Sequence, residues 1–96
     1  MANSLTFIDT FSENGTKTWT PSKTGYYHLL IGPSGGATFA TDGSVAVSQR
    51  GIPFEGLTAV TTATRKIVHL IGGCAVSFVL TSSAGTPDLD IEAVPV

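Results

Sequence analysis

The sequence predicts an all-β chain: one domain over residues 1–96, built as a jelly-roll-like β-sandwich of eight or nine short antiparallel strands. Three observations carry this. Short runs rich in Thr, Val, Ile and aromatic residues recur along the chain, separated by turns marked by Gly, Pro or Asn. No stretch places apolar residues at the 3.6-residue spacing of an amphipathic helix. Ninety-six residues suffice for one modest core and no more.

Residues 4–11 alternate, with Leu5, Phe7, Asp9 and Phe11 on one face and Thr6, Ile8 and Thr10 on the other. They predict a first strand. Asn14-Gly15 is a strong hairpin signal, because both residue types accept positive φ. Residues 16–20 read as a second strand that turns Trp19 inward or into an interface. Pro21 and Gly25 then bound a turn into a third strand over 26–31, whose nearly continuous apolar run predicts a central position.

Residues 32–36 read as a loop, 37–41 as a short strand around Phe39, and Asp42-Gly43 as a turn. A strand over 44–49 follows, with Val45 and Val47 on one face. Residues 50–56 are irregular, punctuated by Gly51, Pro53 and Gly56. Strands are expected over 57–62, 66–71 and 74–81, with Gly72-Gly73 as a tight turn before the last. A loop over 82–87 leads to a final strand over 88–94. Trp19, Leu30, Phe39, Val68, Val76 and Phe78 are the expected core residues. Cys74, the single cysteine, has no partner for an internal disulfide and reads as a small core residue.

Charged residues make up only 12% of the chain, about half the usual ~25%, while apolar residues reach 42%. Thr, Ser, Gly and Ala fill the gap. A surface so poor in charge keeps neighbouring copies apart badly and suits being covered. The net charge is −2 and the five basic residues are scattered, so no patch for nucleic-acid phosphates is written here. No apolar run is long enough for a transmembrane helix, and no membrane partner is expected. The first residues lack a basic region followed by an apolar one, so no signal peptide is expected and synthesis in a cytoplasm is.

Four groups of residues invite a chemical reading. Gly32-Pro33-Ser34-Gly35-Gly36 fits the letters of a nucleophile elbow, but that motif needs a strand-to-helix turn in a large α/β fold. A loop without chemistry is expected instead. Asp88, Asp90 and Glu92 share one strand face; this reads as an acidic solvent face that discourages edge-to-edge association, rather than a Ca²⁺ site. His28 and His69 sit in apolar strands and fall short of a three-ligand zinc site. Trp19, Tyr26 and Tyr27 cannot form one flat sugar platform, because Tyr26 and Tyr27 point to opposite faces. Neither a catalytic residue nor a cofactor is expected.

The order of features is nevertheless suggestive. Phe11 to Gly15 leads into Thr-Lys-Thr-Trp-Thr-Pro, then Gly-Tyr-Tyr-His-Leu-Leu-Ile, then Gly35-Gly36-Ala37-Thr38-Phe39 and Asp42-Gly43-Ser44. An apolar strand and Thr81-Ser82-Ser83-Ala84-Gly85-Thr86 follow toward the end. This resembles the small β-sandwich virion proteins of tailed bacteriophages, which serve as head decoration (cement) proteins or as fibre and tail modules. The chain lacks the Trp that often follows the Asp-Gly turn in such sequences, and residues 51–56 have no counterpart in the pattern. The resemblance implies a non-enzymatic structural protein of the virion, binding the major capsid protein or another virion protein. The alternative it leaves is a carbohydrate-binding or host-recognition module of a fibre or tail, which an exposed Trp19 beside a polar cleft would favour.

Composition adds the expectation of a closed homo-oligomer, with a trimer as the first candidate. Both chain ends offer apolar contacts, and the expected interface residues are Phe7, Phe11, Trp19, Ile91, Val94 and Val96.

Overall fold

The computed structural model of the chain describes residues 4–33, 44–61, 63–81 and 89–96. Among these residues eight strands appear: β1 (Phe7–Phe11), β2 (Gly15–Trp19), β3 (Gly25–Pro33), β4 (Ser44–Gln49), β5 (Ile52–Pro53), β6 (Thr64–Leu70), β7 (Val76–Thr81) and β8 (Leu89–Pro95). They form two four-stranded antiparallel sheets, ordered β1-β8-β3-β6 and β2-β7-β4-β5. This is the two-sheet order of a jelly roll.

The strands form where the sequence alternates, and the buried phase of each alternation faces the opposite sheet. Tyr27, Leu29 and Ile31 of β3 point inward beside Leu89, Ile91 and Ala93 of β8. Val45 and Val47 of β4 and Val76, Phe78 and Leu80 of β7 meet them from the second sheet. Each fully buried Val, Leu, Ile or Phe contributes about 1.5–3 kcal/mol over exposure. Aromatic rings bridge the sheets: Phe7 stacks on Trp19 and on Phe78 at centroid distances of 5.8 and 5.5 Å, and Trp19 meets Tyr27 edge-on at 5.6 Å. At the rim, Lys17 Nζ lies 3.3 Å from Asp9 Oδ2 and 5.5 Å from the centre of the Phe11 ring, tying β2 to β1.

Several expectations need correction. The turns after β1 and β2 do not make hairpins: β1 pairs with β8, β2 with β7 and β3 with β6 and β8, so the chain crosses from one sheet to the other at both turns. Asn14-Gly15 marks a turn but cannot specify which strand becomes the neighbour. The only consecutive pair that forms a hairpin among the described strands is β4–β5, through Arg50 (φ 56°) and Gly51 (φ 76°). Positive φ at both central residues is the mark of a type I′ turn, whose twist matches that of the strands.

Residues 57–61 do not form a strand, and Thr62, the last of the expected one, lies outside the described residues. Leu57 and Val60 are both buried, a spacing of three that an extended backbone would put on opposite faces. The segment instead caps the open edge of β4: Val47 N donates to Leu57 O, and Val45 and Val60 exchange two backbone hydrogen bonds, all at 2.9 Å. Leu30 is half-buried on the outer face rather than in the core, because its neighbours Leu29 and Ile31 take the inward phase. Cys74 is also only half-buried, in the turn ahead of β7. The first strand starts at Phe7, with Leu5 exposed before it. Phe39, Ser34, Asp88, the strand over 37–41, the Asp42-Gly43 turn and the loop over 82–87 lie outside the described residues.

Candidate functional site

The two sheets present different outer faces. On the first sheet, the residues that alternate with the core point to solvent, and register arranges them in rows across the strands. One row reads Ile8, Glu92, Leu30 and Arg65 along β1, β8, β3 and β6. The next reads Val94, His28 and Ile67, and a third sets Tyr26 opposite His69, with Val96 N donating to Tyr26 O at 3.0 Å. Four of the large apolar side chains here are widely exposed: Ile8 at 69%, Tyr26 at 63%, Ile67 at 52% and Val96 at 69%. Single exposed apolar residues are ordinary; several on one sheet face form an apolar patch.

Two shallow grooves run over this face. One, of about 380 Å³, is floored by the small residues Gly32 and Ala63 and walled by Leu30 and Arg65. The other, of about 350 Å³, lies between His28, Leu30, Arg65, Glu92 and Val94. Leu30 and Arg65 are common to both. Neither Glu92 nor Arg65 has an ion-pair partner among the described residues, whereas Asp90 Oδ1 accepts a 2.8 Å hydrogen bond from Thr10 Oγ1. His69 lies edge-on to Tyr26 at 5.1 Å, while His28 sits opposite Ile67, so the two histidines are diagonal neighbours. Among the described residues no three His, Cys, Asp or Glu side chains come together as a metal site.

The outer face of the second sheet is small and, among the described residues of its central rows, without charge. Its central rows are Thr16, Val79 and Ala46, then Thr18, Ser77 and Ser48, continued by Pro53 at the edge. Every side chain there is short, so the face is flat.

The expected interface residues divide. Phe11, Trp19 and Ile91 are 2%, 3% and 0% exposed and belong to the chain's own core, which removes them as contacts for another chain. Their bulk and place on the inward phase explain this. Phe7 is half-buried between Trp19 and Phe78. Val94 and Val96 alone reach the outer face of the first sheet. The face is completed by Tyr26, Leu30, Ile67 and Arg65, which the sequence reading missed as a group. Burial of Tyr27 and Val68 sets their phase, and that alternation is the signal that would have found them.

Among the described residues no helix is long and apolar enough to cross a membrane. Comparison with known proteins returned no match: no family model fits the chain, and neither a curated protein nor a solved structure matches it.

Proposed function

We propose that the chain is a non-enzymatic structural protein of a tailed-phage virion, a decoration protein that docks on the outer capsid surface as a homo-oligomer. The observation that carries this is the second sheet's outer face. Across its two central rows it presents only Thr, Ser, Ala and Val, with no charge and no long side chain. Such a face suits close contact with a repeating protein surface, where charged groups are depleted from the contact core because desolvating them is costly. The jelly roll is an architecture that viral capsid domains and lectins use, which supports the reading by analogy alone. A sugar-binding module counted on an exposed Trp19, and the burial of that indole weighs against it.

The test is mass spectrometry and labelled imaging of purified virions, with the wild-type chain and with Val79→Lys. The wild type is expected on the particle surface in stoichiometric amounts. Val79→Lys, at the centre of the uncharged face, is expected to fold normally and to be missing from particles. Absence of the wild-type chain from purified virions would overturn the reading.

A further inference from the structure

We infer that the outer face of the first sheet is a two-fold contact between copies of this chain, with β3 lying along the axis. The inference rests on the homo-oligomeric part of the reading above and names its contact. Beside Asp90, whose carboxylate accepts from Thr10 Oγ1, the face is apolar at its centre and carries two further charges, Glu92 on β8 and Arg65 on β6, on either side of Leu30 of β3. Neither is paired within the described protomer. A partner that covers the face without answering both charges would leave them buried and alone, which is strongly unfavourable. The occupant must therefore bring an anion to Arg65 and a cation to Glu92, about two strand spacings (~10 Å) apart. This same face has that pattern.

Turning one copy by 180° about an axis along β3, within the plane of the face, lays β8 over β6 of the second copy. Rows are kept. Glu92 then meets Arg65 of the second copy, Val94 meets Ile67, and Leu30 and His28 meet their own counterparts. The strands remain aligned, as packed sheets prefer. An axis across the strands at the His28 row would instead set Glu92 against Val96 and Arg65 against His69, leaving both charges unanswered. The register thus selects the axis along β3, and with it an assembly built from pairs rather than the expected trimer.

The rotation overlays three strands, β8, β3 and β6; about 4.8 Å apart and about seven residues long, they give a footprint of roughly 330 Å² per copy, or about 670 Å² in all. That lies below the ~1,200 Å² where standard stable interfaces begin, so the pair is weak and reversible in solution.

Sedimentation equilibrium of the full chain from about 10 µM to about 1 mM reads this directly. The expected result is a reversible monomer–dimer equilibrium. Arg65→Glu and Glu92→Arg each set like charges together and should each weaken dimerisation at least about tenfold. Mixed in equal amounts, the two variants should recover it, because both cross-copy pairs are then opposite in sign. A variant that had simply unfolded could not recover on mixing. Ile67→Lys should also abolish the dimer, while Val79→Lys on the other sheet should leave it intact.

A wild type that stays monomeric to the highest concentration, a trimer, or a mixture that does not recover association would overturn the inference. A dimer behaving as described but absent from virions would sink the virion reading alone. Virion binding by a wild type that never dimerises would sink the two-fold contact alone.

Discussion

The indole Nε1 of Trp19 donates to Ser4 Oγ at 2.8 Å, and the same hydroxyl donates onward to Thr6 O at 2.7 Å. Trp19 is 3% exposed, so its one polar atom depends on this contact. The segment that brings it is held by two backbone bonds beside Pro21, Ser4 N to Thr20 O and Ser22 N to Ser4 O. Ser4→Ala removes the acceptor but no packing, and should cost about 1–2 kcal/mol in urea unfolding followed by circular dichroism. Combined with Trp19→Phe, the two losses should sum to less than their separate effects, since both remove one bond.

Gln49 is the buried polar side chain of the core, at 7% exposure. Its amide nitrogen donates to Ile71 O and Cys74 O at 2.8 and 2.9 Å, and its oxygen accepts from Ile71 N at 3.0 Å. One side chain thus satisfies three backbone groups of the turn between β6 and β7. Gln49→Leu keeps the volume but strands Ile71 N and Cys74 O and leaves Ile71 O only a 3.4 Å bond from Cys74 N, so a loss of about 2–4 kcal/mol is expected. Hydrogen exchange should show residues 71–74 opening first in this variant. Unchanged protection there would contradict the account.

Gly72 passes so close to the β2–β3 connection that a Cβ would lie 2.8 Å from Lys23 C and from Thr24 N. Those atoms are backbone and cannot swing aside. Thr24 Oγ1 also accepts from Gly72 N at 2.9 Å, and Gly73 N donates to Pro21 O at 2.8 Å, so the two loops move together or not at all. Gly72→Ala should therefore destabilise by about 1–3 kcal/mol in thermal or urea melts.

Arg50 is the described non-glycine residue with positive φ, 56°, in the β4–β5 turn. Asn or Gly tolerates that conformation better, and Arg50 is exposed. Arg50→Asn should raise stability by about 0.5–1 kcal/mol, seen as a melting temperature several degrees higher. Gly51→Ala, at φ 76°, should lower it.

Strand content was legible in the sequence wherever one face is buried, because alternation and burial have the same cause. β4 shows this best, with Val45 and Val47 inward as read. Neighbours were not legible. Turn residues say that the chain bends, whereas β1's choice of β8 is decided by the closing of a whole core. The phase of β3 was hidden as well, since a run of Tyr, Leu and Ile offers no polar residue to mark the outside. That hidden phase is why Leu30 was placed in the core and why Tyr26, Leu30 and Ile67 were not read as one surface. In β8 the acidic residues do mark the outside, which puts Val94 on the outer face and Ile91 in the core, although the apolar chain end offers both as contacts. Aromatic bulk misled in the other direction: Trp19 and Phe11 suit an interface and a core equally, and only the packing of Phe7 and Phe78 around them decides.

The place of β8 has a consequence for how the molecule comes into being. Ala93 lies between Phe7 and Leu29, so the strand that follows the other seven in the chain is the one that fills the middle of the first sheet. A ribosome delivering about 5–20 residues per second would hold back that keystone while β1 and β3 wait with unpaired edges on either side of a gap. Closure across so much chain is slow by nature, in the millisecond-to-second range of sandwich proteins. The nascent chain is then most vulnerable to pairing with another nascent chain through the slot that β8 will occupy.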